Sequence, residues 1–177
     1  EFLIAVMLSA QTTDKSVNEA TAILFSKYKT LEELAKADIG DIEFIIRHLG
    51  MYQVKARNVL KIANILLKDH DGRVPNDPNV LLSMPGVGNK TKNCVLGELY
   101  NEPLLAVDTH MQRVAKRLGI ANEKDSVETI EQKYMKIIPR ERAVKTNHQI
   151  IWFGRYFCKA ISPQCANCKL REHCKNI

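Results

Sequence analysis

Apolar residues recur at helical spacing along nearly the whole chain. The clearest example lies between Gln53 and His70, where Val59, Ile62 and Leu66 fall on one face of a helix. The same spacing predicts further helices over Ser16–Tyr28, Leu31–Ala37, Ile39–Leu49, Val80–Ser83, Lys90–Leu99, Thr109–Leu118, Ser126–Ile137 and Arg142–Phe153. Glycine or proline separates several of these helices, and the best strand candidate, Leu104–Val107, has no convincing partner. The pattern predicts an all-α protein.

The first residues form an apolar run, Phe2–Ala10, that is typical of the middle of a buried helix. Because the chain opens without a methionine or a polar cap, we expect that an N-terminal segment is missing. The run is shorter than the roughly 18 residues that cross a membrane. It also lacks the basic leader and the cleavage site of a signal peptide. We therefore expect no segment that crosses a membrane, and the motifs described below imply no membrane partner.

Length and charge narrow the class of partner. The chain has 177 residues, of which 45% are apolar, enough for the core of one large domain or two small lobes. Its formal net charge of +6 favours an anionic partner, such as nucleic acid or an acidic membrane surface.

A glycine-containing turn separates two predicted helices. It reads Met84-Pro85-Gly86-Val87-Gly88-Asn89-Lys90-Thr91. Glycine permits positive φ and close approach of another backbone, so the N–H groups of this turn can point at one phosphate. An ordinary helix–helix turn explains a bare Gly-x-Gly equally well. The flanking residues favour the first interpretation, because the string resembles the hairpin of the helix-hairpin-helix DNA-binding motif, with Met84 in place of leucine.

Lys90 and Asp108 each allow two interpretations. Lys90 lies in the first turn of a predicted helix, where a cation is disfavoured, so the position favours a neutral, nucleophilic amine. A lysine that binds phosphate or only faces solvent would sit equally well there. Asp108 precedes an amphipathic run and makes a good helix N-cap, worth about 1 kcal/mol. A capped carboxylate is held rigidly, so catalysis and capping are compatible; His110 fits a structural role.

Four of the five cysteines lie in the last twenty residues, with the spacing Cys158-x6-Cys165-x2-Cys168-x5-Cys174. A tight terminal group in a chain without a signal peptide indicates a metal site in a reducing, intracellular compartment. Zinc is the usual metal for four thiolates but prefers two Cys-x2-Cys pairs. A [4Fe-4S] cluster accepts the uneven loops found here.

Together these motifs resemble the endonuclease III family of DNA base-excision enzymes. The family combines the glycine hairpin with its lysine, a Val-Asp-Thr-His segment (Val107–His110) and the same cysteine spacing; Leu8–Gln11 also matches. The resemblance implies a two-lobed helix-hairpin-helix glycosylase fold. A six-helix barrel lobe would occupy residues 1–102 and an iron–sulfur lobe residues 103–177. In the family the iron–sulfur lobe also uses the N-terminal segment expected to be missing.

The resemblance further implies a bifunctional glycosylase and abasic-site lyase that removes oxidised pyrimidines from duplex DNA. Lys90 would form a Schiff base with the sugar, Asp108 would assist, and β-elimination would cut the strand 3′ to the abasic site. Gln11 would fill the vacated space in the base stack and Met51 would act as a wedge. The DNA-binding residues would be Gln11, Met51, Pro85, Gly86, Val87, Gly88, Lys90 and Thr91. The four cysteines would hold a [4Fe-4S] cluster, and the protein would act as an intracellular monomer, in the cytoplasm or nucleoid if bacterial or archaeal.

Two other functions are compatible with parts of the sequence. The adenine glycosylase branch of the superfamily shares the hairpin and the cluster, but it carries a catalytic glutamate where this chain has Ala5, and it generally lacks the lysine found at Lys90. A non-catalytic helix-hairpin-helix module with a zinc knuckle is the alternative from another class. The range of damaged bases stays open, because Asn89, Lys92 and Cys94 differ from common family choices.

Overall fold

The computed structural model describes residues 1–175, and these are helical with no strand. The α-helices are Phe2–Leu8 (α1), Asp14–Lys27 (α2), Leu31–Ala35 (α3), Ile39–Ile46 (α4), Tyr52–Asp69 (α5), Pro78–Ser83 (α6), Asn89–Tyr100 (α7), Thr109–Arg117 (α8), Val127–Ile137 (α9) and Ala143–Trp152 (α10). A π-helical turn, Phe153–Phe157, follows α10, and the 3₁₀ turns are Arg140–Arg142, Cys165–Asn167 and Arg171–His173. The predicted all-α class is confirmed.

Local signals place most helix ends close to where the sequence predicts them. Thr30 is the N-cap of α3 and forms a capping box. Its side chain accepts a hydrogen bond from Glu33 N, and the Glu33 carboxylate accepts one from Thr30 N. Asp38, Asp77, Asp108 and Ser126 also accept a backbone hydrogen bond in the first turn of the helix that each precedes. The largest difference is at α4, which ends at Ile46 rather than Leu49.

Leu104–Val107, the best strand candidate, forms no strand, in agreement with the predicted all-α class. It pairs with no strand among the described residues, and Leu105, Ala106 and Val107 are buried. One of its backbone groups is satisfied by a side chain, because Ala106 N donates to Asn147 Oδ1 at 3.0 Å. The apolar run is therefore core without being sheet.

The chain divides into two compact units, Glu1–Val95 and a second that begins at Leu96. This division falls inside α7, a few residues before the predicted lobe boundary at residue 102. The first unit is built on apolar faces of its helices, with fully buried Leu3, Leu8, Leu24, Ile42, Ile46 and Ile62. In the second unit Leu105, Met111, Ile130 and Tyr134 form the core, and the Tyr134 hydroxyl donates to Met111 O at 3.0 Å.

Asp41 joins α4 to the end of α2. Its carboxylate accepts from Lys27 Nζ at 2.6 Å and from the Tyr28 hydroxyl. The hydrogen bond from Lys27, and then that from Tyr28, holds the pKa of Asp41 below its usual value. Burial, and then the hydrogen bond to Asp41, raises the pKa of Tyr28 to about 12. The charged carboxylate is therefore favoured in the folded state.

We expect Asp41→Asn to lower the denaturation temperature at pH 7. A carboxyl whose pKa is lower in the folded state stabilises the fold above its unfolded pKa and loses that contribution as the pH falls through the folded value. The difference between variant and wild type should therefore shrink in acid. Thermal denaturation from pH 7 down to pH 3 measures it, and a difference that stays constant or grows would contradict the assignment.

Candidate functional site

The glycine turn connects α6 to α7 in the first unit. Asp77 caps α6 by accepting from Asn79 N at 2.7 Å and Val80 N at 3.1 Å, and Pro78 occupies the first helical position. The turn is closed by Val87 N donating to Met84 O at 3.2 Å. Met84 and Val87 are buried and anchor the turn, whereas Gly86 and Gly88 are exposed. The backbone of the turn therefore faces outward.

Lys90 lies in the first turn of α7 and is exposed. It lines a cavity of about 470 Å³ in the first unit. The other lining residues come from α1, α2, the turn and α7: Phe2, Ala5, Val6, Ser9, Ala10, Asp14, Val17, Asn18, Gly86, Gly88, Thr91 and Cys94. The volume is in the range of small-molecule sites, and it suffices for an extruded nucleotide base. Asp14 and Asn18 are polar lining residues that sequence reasoning missed. Both lie on the same face of α2 as the apolar Val17, which also lines the cavity.

Gln11 and Met51 lie in two exposed loops of the same unit. Gln11 follows α1 and has φ 54°, and Met51 immediately precedes α5 and has φ 59°. A left-handed backbone is uncommon for residues other than glycine, and it persists only where neighbouring contacts hold it. The Met51 side chain is 62% exposed. Both side chains are thus available to a partner.

Asp108 belongs to the second unit and is the N-cap of α8. Its Oδ1 accepts from Met111 N at 2.8 Å, and the residue is half-buried. Burial, and then the negative charge of Asp108, raises the pKa of Tyr134, whose protonated hydroxyl donates into the first turn of the same helix. His110, which fits a structural role in the sequence, has its Nδ1 3.2 Å from Arg113 Nη2.

The four C-terminal cysteines line one cavity in the second unit. Cys158 follows the π-helical turn and donates its N–H to Phe153 O at 2.7 Å. Cys165 begins the 3₁₀ turn Cys165–Asn167, Cys168 ends it, and Cys174 ends the 3₁₀ turn Arg171–His173. The apolar walls of the cavity are Leu118, Phe153, Phe157, Pro163 and Leu170. Among residues 1–175, no three His, Cys, Asp or Glu side chains converge as a group that could hold a single metal ion. The four cysteines thus line a cavity together with these apolar residues.

Two arginines of α8, which sequence reasoning missed, hold the segment around Cys158. Arg117 Nη1 lies 3.3 Å from Cys158 Sγ and donates to Lys159 O at 2.7 Å, and its Nη2 donates to Ala160 O at 3.3 Å. Arg113 donates to Cys158 O at 3.1 Å and to Gly154 O at 2.6 Å. Arg113 and Arg117 lie four residues apart, so the sequence already places them on one face of α8.

None of the helices in residues 1–175 combines the length and the apolar character needed to cross a membrane.

Residues 4–140 match the family described as HhH-GPD superfamily base excision DNA repair protein. Endonuclease III of Bacillus subtilis (strain 168) is 44% identical over 175 residues, which are 99% of this chain and 80% of that protein. Endonuclease III of Escherichia coli (strain K12) is 42% identical over 175 residues, which are 99% of this chain and 82% of that protein.

Solved structures give the same result. A trapped endonuclease III–DNA covalent intermediate, an estranged-adenine complex, has a TM-score of 0.94 and 47% identity over 99% of this chain and 82% of that one. A non-covalent endonuclease III–DNA complex has a TM-score of 0.93 and 46% identity over 98% of this chain and 81% of that one. A thermostable thymine-DNA glycosylase, at 24% identity and a TM-score of 0.89, shares the fold.

Proposed function

Because the chain belongs to the endonuclease III family of helix-hairpin-helix base excision DNA repair proteins, we propose that it is a bifunctional DNA glycosylase and abasic-site lyase. Its substrate is duplex DNA with an oxidised pyrimidine or an abasic site, and it acts on this DNA as an intracellular monomer. One observation carries the proposal: the exposed Lys90 directly follows the glycine hairpin and lines a cavity whose volume suffices for an extruded base.

The target base lies inside the duplex, so the enzyme must first turn it out of the stack, at a cost of a few kcal/mol that is lower for a damaged base. The outward backbone of the hairpin binds phosphate through N–H groups and the start of α7. Gln11 fills the vacated space and Met51 enters beside it. Their exposure and left-handed backbone support this role, since neither side chain belongs to the core.

Lys90 then performs the chemistry. Its neutral amine attacks the sugar C1′, the C1′–N bond to the base breaks, and the base leaves with a proton. The sugar ring opens as the amine and C1′ form a Schiff base. Loss of a proton from C2′ expels the 3′ phosphate and cuts the strand. Asp108 accepts a proton or stabilises the positive charge that develops on the sugar.

The four cysteines would hold a [4Fe-4S] cluster. Such a cluster needs four thiolate ligands, and all four cysteines line one cavity. The apolar walls and the Arg117 guanidinium fit a group that carries negative charge and is screened from water. A bound cluster would stabilise the C-terminal segment, and the basic residues Lys159, Lys169 and Arg171 of this segment would contact the DNA backbone.

A substrate panel tests the proposed activity. We expect the protein to cut duplexes that contain thymine glycol or dihydrouracil, 3′ to the lesion and without an added nuclease. Duplexes that contain 8-oxoguanine or no damage serve as controls and should be cut far more slowly. Release of the base without strand cleavage would contradict the lyase activity. Binding without either reaction would favour the non-catalytic DNA-binding module.

Two glycine substitutions test the hairpin. Gly86 has φ 78°, and a methyl group there would lie 2.6 Å from Asn58 Nδ2 and 3.2 Å from Met7 Cγ, so Gly86→Ala should destabilise the fold by about 1–3 kcal/mol. A methyl group on Gly88 meets nothing within 4 Å, so Gly88→Ala should change stability by less than about 0.5 kcal/mol.

The Gly88→Ala protein should nevertheless bind duplex DNA more weakly, because its methyl group would separate the hairpin backbone from phosphate. Thermal denaturation and a binding titration at fixed salt measure the two effects. Wild-type affinity in a folded Gly88→Ala protein would contradict the proposed phosphate site.

Metal analysis tests the cluster. We expect four irons and four sulfides per chain, with broad visible absorbance and a brown colour. Cys168→Ala should lose the colour, and Cys94→Ala is the matched control that should keep it, because Cys94 lines the cavity that contains Lys90 instead. A colourless protein that binds one zinc would contradict the cluster.

A further inference from the structure

Lys55 is a buried lysine on the apolar face of α5. It is 5% exposed, and it lies one helical turn before Val59 and two before Ile62, both fully buried. Burial lowers the pKa of Lys55. A methionine of similar length would fill this space without the free energy needed to bury an ammonium group. The free-energy cost of burying the Lys55 ammonium group must therefore be offset by specific contacts.

The ammonium group holds the loop that follows α1. Lys55 Nζ donates to Ala10 O at 2.8 Å and to Thr12 Oγ1 at 2.7 Å. These acceptors lie on either side of Gln11, whose backbone is left-handed with φ 54°. For a residue other than glycine this conformation costs about 1–3 kcal/mol and must be imposed by its surroundings. Two charge-assisted hydrogen bonds of this length supply that constraint.

The same lysine is also fixed to the second loop. Lys55 N donates to Met51 O at 3.0 Å in the first turn of α5, where Met51 has φ 59°. The two loops are close, since a methyl group on Gly50 would lie 3.9 Å from Gln11 O. The backbone of Lys55 thus connects to Met51 and its side chain to the residues around Gln11.

We propose that Lys55 is a positioning residue that holds Gln11 and Met51 in fixed relation, so that both enter the DNA stack together. The proposal rests on the proposed function, in which Gln11 fills the space left by the extruded base. Lys55 touches neither DNA nor the reacting sugar. Its removal should therefore impair insertion into the duplex and leave the amine of Lys90 intact.

Fluorescence of 2-aminopurine tests insertion directly. The probe duplex carries tetrahydrofuran, a stable abasic analogue, opposite 2-aminopurine, whose fluorescence rises when the base is unstacked. At saturating protein, wild type should raise the fluorescence and Lys55→Met should lose most of the rise. Lys61→Met is the matched control that should keep the full rise, because it removes an exposed lysine of the same helix that has no part in holding the loops.

A double-mutant cycle tests whether Lys55 acts through Gln11. Cleavage of an abasic duplex is measured for wild type, Lys55→Met, Gln11→Ala and the double variant. We expect Lys55→Met to lower kcat/KM between about tenfold and a hundredfold, as misplacement of a positioning group does. In the Gln11→Ala background the same substitution should lower it less than about twofold. Additive losses, or a full fluorescence rise in Lys55→Met, would overturn the proposal.

Two further variants keep the test decisive if Lys55→Met unfolds. Lys55→Arg retains a charged donor and should recover part of the fluorescence rise. Thr12→Val removes one acceptor from a half-buried loop residue without changing α5, and it should lose part of the rise. An unchanged rise with Thr12→Val would contradict the role of Lys55. Failure of wild type to cut abasic DNA would instead contradict the proposed function, and the fluorescence readout separates the two.

Discussion

We expect Lys90→Gln to lower the rate of strand cleavage at abasic sites by a factor on the order of 10⁴ or more. Glutamine has similar length but its amide nitrogen is not nucleophilic, so no Schiff base forms. The side chain is exposed at the start of α7, and its replacement should change stability by less than about 0.5 kcal/mol. Single-turnover cleavage at saturating protein separates this loss of chemistry from any loss of binding.

Lys92→Gln is the matched control for charge. Lys92 lies on the same helix two residues later, and its Nζ is 3.5 Å from Asn89 Oδ1. Both substitutions remove one positive charge, so both should weaken DNA binding by a similar, salt-dependent factor. Only Lys90→Gln should abolish cleavage. If Lys92→Gln abolished it and Lys90→Gln did not, the nucleophile would be assigned to the wrong residue.

Asp108→Asn should lower kcat by about 10²–10⁴-fold with little change in DNA affinity. That range is typical for loss of a positioned acid or base. Asparagine caps helices as well as aspartate does, so the hydrogen bond to Met111 N and the start of α8 should survive. Single-turnover kinetics measure the rate of the reaction, and thermal denaturation of the same protein measures its stability.

Asp108→Ala distinguishes the cap from the charge. It removes both, so it should lose as much activity as Asp108→Asn and in addition about 1 kcal/mol of stability. If Asp108→Asn were fully active and Asp108→Ala inactive, the residue would serve only as the cap of α8, and another group would have to assist the reaction.

The sequence predicts the helices well because their signals are local. Thr30 and Glu33 lie three residues apart and form a capping box, so neighbouring letters suffice to locate the start of α3. Leu104–Val107 shows the limit of local reasoning. An apolar run predicts burial correctly, but the hydrogen bond from Ala106 N to the Asn147 side chain, 41 residues away, cannot be predicted from neighbouring residues. Contacts across that distance leave no periodic pattern.

The candidate site divides in the same way. The hairpin, Lys90 and the cysteine spacing are visible as motifs, whereas Arg117 reaches the Cys158 segment from 41 residues away. Lys55 is visible in the sequence as a charged residue on the apolar face of α5, which continues through Val59 and Ile62. Its acceptors near Ala10 lie 45 residues away, so its purpose was not readable from the sequence.

Borohydride trapping on abasic duplex DNA tests the central claim, that Lys90 attacks the sugar. The reductant converts a Schiff base into a stable covalent bond, and mass spectrometry of the digested product identifies the linked residue. Wild-type protein should give a covalent product whose DNA fragment is attached at Lys90. No covalent product from intact, DNA-bound protein, or a product attached at another lysine such as Lys92, would contradict the claim.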